Sequence, residues 1–448
     1  MKNGAWVSWW VAISALLLPS VVQAAPVLQL RDAIAAVLAN DPWLQGNMLR
    51  EQALQQQAGA AATWTAPKVG LKMQNVPVDT FALDQDNMTQ LQVSVSQLLP
   101  RGDTLQLAGD KLTLQAQLRP MQRKERRARL TRDTTLLWLD AYLASRSIAL
   151  IEQNKALFIQ LEEIVHSQYR SGQVSAGQQA LIRADLELAQ LEERLAQWHQ
   201  QQEATLAQLQ VWMTANSALS KSPVLQTGAL PPSLPPRLQH SPAIAAIDIQ
   251  QIITLLHEHP QLQTARHNTR IQSRDVALAR QQFKPQWQLE ASYGLRQDRA
   301  GEQSRADVMS VGVTVDVPWF TQQRLDSNVT AAIKHHQASK TDERLLLQQL
   351  LGEARQAMSQ VQQFSQRLKR YQQRILPGVN AQADAALQAY TADNGEFAEV
   401  VRARIARLDA RLQTEQIKVG LAKTLARLRY LLPALPQPRK TGIQHHEE

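Results

Sequence analysis

The feature that most constrains the fold of this chain is a set of proline-containing dipeptides that recurs at a fixed distance. The first set is Asp41-Pro42, Ala66-Pro67 and Leu99-Pro100, and the second is His259-Pro260, Lys284-Pro285 and Val317-Pro318. Each proline of the first set (42, 67 and 100) has a counterpart 218 positions later (260, 285 and 318). Proline restricts its own backbone and that of the preceding residue, so matching prolines indicate matching backbone paths. The chain is therefore predicted to be a duplication of one structural unit.

The first residues have the composition of a secretory signal peptide. A single charge, Lys2, precedes an apolar stretch from Trp6 to Leu18, and Val22-Gln23-Ala24 supplies the small residues of a cleavage site. We expect cleavage after Ala24. A membrane anchor is the weaker alternative, because this stretch as a helix would rise only roughly 20 Å, short of a hydrocarbon core of ~30 Å.

The repeat and the local composition divide the chain into five segments. We expect a signal peptide at 1–24, a first repeat at 25–216, a linker at 217–247, a second repeat at 248–432 and a tail at 433–448. The linker is rich in proline and has no periodic pattern, which favours a loop.

Each repeat contains two segments in which apolar and polar residues alternate. The predicted strands are 68–76 and 89–98 in the first repeat, and 286–296 and 308–317 in the second. Their length suits a tilted transmembrane strand. The alternative is a half-buried sheet in a soluble domain, which alternates in the same way. On the membrane interpretation, the lipid-facing residues include Val69, Leu71, Val93, Val95, Leu289, Tyr293, Val311 and Val313.

Four strands in one chain have a consequence for assembly. An open sheet edge in lipid leaves backbone N–H and C=O groups without partners, so transmembrane sheets close into barrels. Four strands are too few to close a barrel. If the strands span a membrane, several copies of the chain must therefore share one barrel.

The remaining sequence predicts helices too long for a globular domain. From about 104 to 168, apolar residues recur every seven positions, and similar patterns run through 322–391 and 396–431. A sustained seven-residue repeat is typical of supercoiled helices. A kink or strained turn is expected at Pro120. Tyr169 and Tyr390 are 221 positions apart rather than 218, which predicts a three-residue shift within one repeat.

Composition excludes several classes of function. The chain has no cysteine, so it has neither disulfides, thiolate metal ligands nor a lipidated N-terminal cysteine. Its net charge of +9 is spread along acid-containing helices, and no basic cluster is interleaved with aromatics, so nucleic-acid binding is not expected. No nucleophile–base pair, carboxylate pocket or phosphate loop is visible. We expect no enzymatic activity, no cofactor and no metal site.

The strand-to-helix junctions and the helix turns resemble the TolC-like outer-membrane efflux family. The junctions are residues 93–102 and 311–320, and the turns are Tyr169–Ser175 and Asn394–Phe397. The resemblance implies a mainly α fold with a small transmembrane β part. In that fold, a homotrimer forms a twelve-stranded β-barrel that a long α-helical barrel continues into the periplasm.

The resemblance also implies partners and docking residues. A periplasmic adaptor would dock at the helix-hairpin tips, and an inner-membrane pump of the RND class would supply the energy. The implied tip residues are Tyr169, Gly172, Val174, Ser175, Asn394, Gly395 and Phe397. The segments Asn75–Phe81, Asp86–Thr89 and Pro100–Asp103 further resemble members that are paired with heavy-metal pumps.

Glu396 and Glu399 stand where family members place acidic gate residues. Three-fold symmetry would turn them into a ring of carboxylates that favours cations. The alternative is an ordinary first helical turn, which also prefers glutamate. For the whole protein, the sequence leaves open an outlet for type I protein secretion or multidrug efflux, and less favourably a periplasmic coiled-coil adaptor.

Overall fold

The computed structural model describes most of the chain, in six stretches: residues 28–170, 178–214, 233–239, 247–298, 304–392 and 395–433. The expected signal peptide, most of the linker and nearly all of the tail lie outside these stretches.

The first repeat folds as two helices, two strands and two helices. In chain order these are α1 (Leu30–Asn40), α2 (Pro42–Ala61), β1 (Lys68–Gln74), β2 (Gln90–Leu98), α3 (Thr104–Arg170) and α4 (Gln178–Thr214). A short helix, α5 (Pro236–Gln239), lies within the linker. Leu238 in this helix and Leu234 just before it are buried in an apolar cluster with residues of α1, α3, α4 and the last helix of the chain, so this part of the linker belongs to the core and is not a free loop.

The second repeat follows the same order. Its elements are α6 (Ile249–His257), α7 (Pro260–Gln281), β3 (Gln286–Leu295), β4 (Val308–Asp316), α8 (Gln322–Arg370), a π-helical turn (Tyr371–Ile375), α9 (Leu376–Thr391) and α10 (Phe397–Leu431). The second helix, both strands and the long helix begin 218 positions apart in the two repeats (42 and 260, 68 and 286, 90 and 308, 104 and 322). The predicted duplication is confirmed at these four starts.

The paired prolines start the same helix in both repeats. Asp41 caps α2 by accepting a hydrogen bond from the Trp43 N–H at 3.4 Å. His259 caps α7 through Nδ1, which accepts from the Gln261 N–H at 3.3 Å. Proline follows each cap because the first helical turn does not need its missing N–H.

The four strands form one antiparallel sheet in the order β1-β2-β3-β4. The contact between the repeats is the β2–β3 pair, in which Val93 lies opposite Tyr293 and Val95 opposite Ala291. The sheet therefore combines both halves of the chain into one surface.

The helices are as long as the seven-residue pattern predicted. α3 has 67 residues, which corresponds to roughly 100 Å of helix, and it continues through Pro120 without a break. On the predicted stripe, Leu130, Ala144, Ile151 and Phe158 are buried.

The counterpart of α3 in the second repeat contains a π-helical turn that the sequence did not reveal. The helical stretch from Gln322 to Thr391 is three residues longer than α3, which is the shift expected from the tyrosines. At the π turn, the Leu376 N–H bonds to the Tyr371 carbonyl. Pro377, which comes next, has no N–H to donate, so the irregular turn lies where the regular ladder is interrupted.

α10 holds the helical part together. It supplies buried residues to all three apolar clusters, one with α6, α7 and α8, one with α3, α4 and α9, and one with α1, α3 and α5. The last helix of the duplication is thus the element against which both repeats pack.

Candidate membrane-facing sheet and hairpin tips

The apolar residues of the sheet lie on one face and are exposed. Cross-strand partners share a face, and the register pairs Val69 with Val95, Leu71 with Val93, and Leu289 with Val313. All eight residues predicted to face lipid are exposed, from 38% for Val93 to 75% for Val69. Within the described chain, no helix packs on this face, so a soluble half-buried sheet does not account for it.

The opposite face of the sheet is polar. Lys68, Lys72, Gln92 and Glu290 alternate with the apolar residues along their strands. Gln92 Nε2 donates to Ser292 Oγ across the β2–β3 pair at 2.7 Å. A sheet with one face suited to lipid and the other to water has the pattern of a wall around an aqueous channel.

The two outer strands have unpaired edges. Among the described residues, β1 pairs only with β2, and β4 only with β3, so one edge of each offers N–H and C=O groups for pairing. All neighbouring strands are antiparallel, which makes β4 antiparallel to β1. The β4 edge of one copy can therefore continue the antiparallel order at the β1 edge of another.

Exposed aromatic residues surround the end of the sheet where the helices begin. They are Trp64, Phe283, Trp319 and Phe320, the last of which is 98% exposed. Such rings favour the boundary between hydrocarbon and headgroups. They were not among the predicted site residues, although they lie close to the repeated prolines.

Arg101 ties the two strand-to-helix junctions together. Its side chain donates to the Gln282 carbonyl at 3.1 Å and to Gln286 Oε1 at 3.2 Å, and it also pairs with Asp316. Beside it, Gly102 has φ +46°, and a Cβ at this position would overlap Lys284. The junctions that carried the family resemblance are therefore in direct contact with each other.

The loops at the far end of the sheet are also joined. Arg305, in the β3–β4 loop, donates to the backbone carbonyls of Asp84 and Asp86 in the β1–β2 loop, each at 3.3 Å. The positive φ of Asn75 and Phe81 turns the first loop.

The first hairpin tip lies largely outside the described residues. Gly172, Val174 and Ser175 are outside them, and of Tyr169 only the backbone is described, within the last turn of α3. Asn394, of the second tip, is also outside.

The second tip is tightly packed. A Cβ on Gly395 would lie 2.9 Å from the Tyr390 backbone nitrogen, so the chain approaches the end of α9 too closely for a larger residue. Phe397 is only 5% exposed, and its ring meets that of Tyr390 edge-on at 5.9 Å. Phe397 thus packs beneath the turn, and the described turn residues Gly395 and Glu396 are exposed.

The two predicted gate glutamates lie beside a group of arginines. Both are exposed, and Glu399 Oε2 accepts from Arg402 at 2.6 Å. One to four turns further along α10, Arg404, Arg407 and Arg411 share a helix face, and Asp384 of α9 pairs with Arg407 at 3.1 Å. Burial, followed by the charge of Arg407, lowers the pKa of Arg404. This basic face was not predicted, although its spacing of three and four residues is visible in the sequence.

A polar network joins the two repeats where the start of α7 and the end of α10 meet α3. Tyr430 donates to Glu125 at 3.1 Å, and the guanidinium of Arg132 lies 4.3 Å from the centre of the Tyr430 ring. His259 meets the same ring edge-on at 5.0 Å. Burial raises the pKa of Tyr430 and lowers the pKa of His259.

Among the described residues, one group of side chains has the arrangement of metal ligands. It consists of Glu162, His166 and Asp185, in the hairpin of α3 and α4.

Also within the described part, no helix combines the length and apolar character needed to cross a bilayer.

Comparison with known proteins agrees with this architecture. Residues 252–433 match the family model described as outer membrane efflux protein. No curated protein sequence matches the chain.

Several solved structures share the fold over most of the chain. VceC, an outer membrane protein of Vibrio cholerae, has a TM-score of 0.71 at 15% identity, covering 90% of this chain and 96% of VceC. The open MtrE outer membrane channel of Neisseria gonorrhoeae has a TM-score of 0.66 at 14% identity, covering 90% and 88%. CusC, whose structures describe transmembrane channel formation, has a TM-score of 0.71 at 15% identity, covering 90% and 92%.

These matches confirm the predicted fold class, a mainly α chain with a small antiparallel sheet. The matched family is described as an outer membrane efflux protein and MtrE as an outer membrane channel, in agreement with the expectation that this chain is not an enzyme.

Proposed function

We propose that this chain is a TolC-like channel subunit that acts as a homotrimer in the outer membrane of a Gram-negative bacterium. Residues 1–24 would direct its export. The observation that carries the proposal is the four-stranded sheet, with a continuous exposed apolar face and two unpaired edges. Three copies would supply twelve strands, and their β1 and β4 edges would close an antiparallel barrel that leaves no backbone group unpaired in lipid.

The long helices give the channel its periplasmic part. α3, α4, α8, α9 and α10 would continue the barrel as a helical tunnel, and the hairpin tips would meet a periplasmic adaptor bound to an inner-membrane pump. The exposed turn at Gly395 is the described part of this docking surface. Energy would come from the pump, so the chain serves as a passive duct.

For the cargo, we propose heavy-metal cations delivered by an RND-class pump. The support is the resemblance of the segments Asn75–Phe81, Asp86–Thr89 and Pro100–Asp103 to members paired with such pumps. Loss of the gene should then sensitise cells to one or more heavy metals. Sensitivity to dyes and detergents alone would replace this cargo with multidrug efflux, and loss of a secreted protein would replace it with type I secretion.

Cysteine cross-linking tests the trimer directly, because the chain has no cysteine of its own. Lys72→Cys on β1 is combined in turn with Ser310→Cys, Gly312→Cys and Thr314→Cys on β4, which samples three registers on the polar face. Oxidation in membranes should link three chains covalently in one of these combinations.

The matched control moves the first cysteine to an interior strand. Gln92→Cys on β2, with the same three partners, should give no link between chains, because β2 is paired on both sides. Failure of every β1–β4 combination, or links that stop at dimers, would refute the trimeric barrel.

A further inference from the structure

The hairpin of α3 and α4 brings together one histidine and two carboxylates. Glu162 and His166 are one turn apart on α3, so both project from the same side of that helix. Asp185 faces them from α4. One ligand atom from each residue lies within 4.8 Å of the others, and Glu162 Oε1 is 3.7 Å from His166 Nε2.

Among the described residues, few basic groups pair with the two carboxylates of this cluster. Glu162 has His166 as its only described ion-pair partner, and Asp185 has none. Elsewhere in the same hairpin, opposite charges do pair between the helices, as Lys155 with Glu192 at 2.7 Å. Two carboxylates with so few basic partners form a local negative site that a cation would stabilise.

We propose that Glu162, His166 and Asp185 bind a divalent transition-metal ion of the zinc or cobalt class. Zinc takes imidazole nitrogen and carboxylate oxygen at roughly 2.0–2.2 Å, and ligands around such an ion lie roughly 3.4 Å apart. The observed 3.7 Å between the first two ligand atoms is close to this spacing. Water would complete the coordination, since His166 is about half exposed.

The donor set also indicates which ions are disfavoured. Calcium and magnesium prefer all-oxygen sites, so the imidazole makes them poor competitors. Copper(I) prefers thiolate and thioether ligands, and neither is present among the three residues. The site is therefore selective for ions that accept both nitrogen and oxygen.

A bound ion would connect the two helices of the hairpin near its tip. His166 and Glu162 are four and eight residues before Arg170, the last residue of α3, which places them roughly 6 and 12 Å from the helix end. Metal binding would hold α3 and α4 together at this point. The inference does not rest on the proposed function, because the site is formed within one hairpin.

Zinc titration of the full-length protein in detergent tests the site. The background carries His445→Ala and His446→Ala and no histidine tag, so that tail histidines do not contribute. We expect one zinc ion per chain by calorimetry. Affinity should fall at least tenfold in His166→Ala and in Asp185→Asn.

Two control variants separate the site from other surface groups. His199→Ala removes a histidine of the same hairpin, and Glu163→Gln removes an acid adjacent to the site. Both should bind zinc as the background does. Cobalt(II) absorption gives a second readout, because the bands of a nitrogen–oxygen tetrahedral complex should disappear in His166→Ala.

Unchanged zinc affinity in Asp185→Asn would overturn the proposal, even if His166→Ala failed to assemble, because the amide replacement preserves size and polarity. An equal loss in His199→Ala would also overturn it, by showing that binding is not confined to these three residues.

Discussion

At the scale of single residues, the sheet places consecutive side chains on opposite faces. Val313 is 58% exposed on the apolar face, while Thr314 is on the polar face and pairs across the strand with Gln288. Because side chains alternate along a strand, in the proposed barrel a shift of one position would move a charge from water to lipid.

Lysine substitution at these two positions should therefore give opposite results. Val313→Lys should cost about 2–4 kcal/mol if the position lies near the bilayer midplane, and should reduce the amount of assembled protein in the outer membrane. Thr314→Lys, the matched control, should assemble normally. Val93→Lys and Ser94→Lys repeat the comparison on β2, and equal yields from all four variants would contradict the lipid-facing assignment.

His259 should make stability depend on pH. Burial is the largest cause of its lowered pKa, and the charge of Arg132 lowers the pKa further. The shift is opposed by the charges of Glu125 and Glu353 and by a hydrogen bond with the Tyr430 backbone. Above pH ~6.5 the histidine is neutral in both states. As the pH falls below this value, the unfolded chain takes up the proton more readily, so stability decreases.

His259→Asn tests this dependence, because asparagine can also cap a helix. Between pH 7.5 and 5.5, the apparent melting temperature of the variant should fall by less than that of the wild type. His335→Asn, at an exposed position, should keep the wild-type slope. If the melting temperature of His259→Asn depends on pH as steeply as that of the wild type, His259 is not the source of the pH dependence.

At the scale of elements, the turn between α9 and α10 depends on close packing. Gly395 fits against the end of α9, and Phe397 anchors the first turn of α10 beside Tyr390. Phe397 thus packs beneath the turn, while Gly395 and Glu396 are exposed.

Gly395→Ala should loosen this turn, at a cost of about 1–3 kcal/mol for the overlap with the α9 backbone. Hydrogen exchange should become faster at the end of α9 and the start of α10. Gly352→Ala is the control: nothing lies within 4 Å of its added Cβ, and alanine in mid-helix gains up to ~1 kcal/mol. If hydrogen exchange at the end of α9 and the start of α10 is the same in both variants, the close approach of Gly395 to α9 does not stabilise the turn.

At the scale of the whole molecule, trimerisation would multiply each charge near the tips threefold. Glu396 and Glu399 would contribute negative charge. Further along the same helix, Arg404, Arg407 and Arg411 would contribute positive charge. The ion preference of the channel would then depend on which of these groups lines its narrowest part.

Removing both glutamates tests the proposed gate. Glu396→Ala with Glu399→Ala should reduce cation preference in planar bilayers, because the nearby arginines remain. The measurement is the reversal potential in a salt gradient, and Asp32→Asn, on α1, should leave it unchanged. The same reversal potential with and without the two glutamates would remove them from the gate.

Much of this architecture could be predicted from local patterns. The repeated prolines located matching helix starts, the two-residue alternation located the strands and their apolar face, and the seven-residue pattern located α3. The π turn was missed because Pro377 alone does not distinguish it from an ordinary helical turn.

The sequence by itself determined which face of each element is apolar and that the unit occurs twice, because periodicity and proline placement act through the local backbone. Only the tertiary structure decided which elements meet. It joined the repeats through β2 and β3, packed α10 against both, buried Phe397, and brought Asp185 to Glu162 and His166. Contacts between residues far apart in the chain depend on how whole elements pack, and no local pattern encodes that.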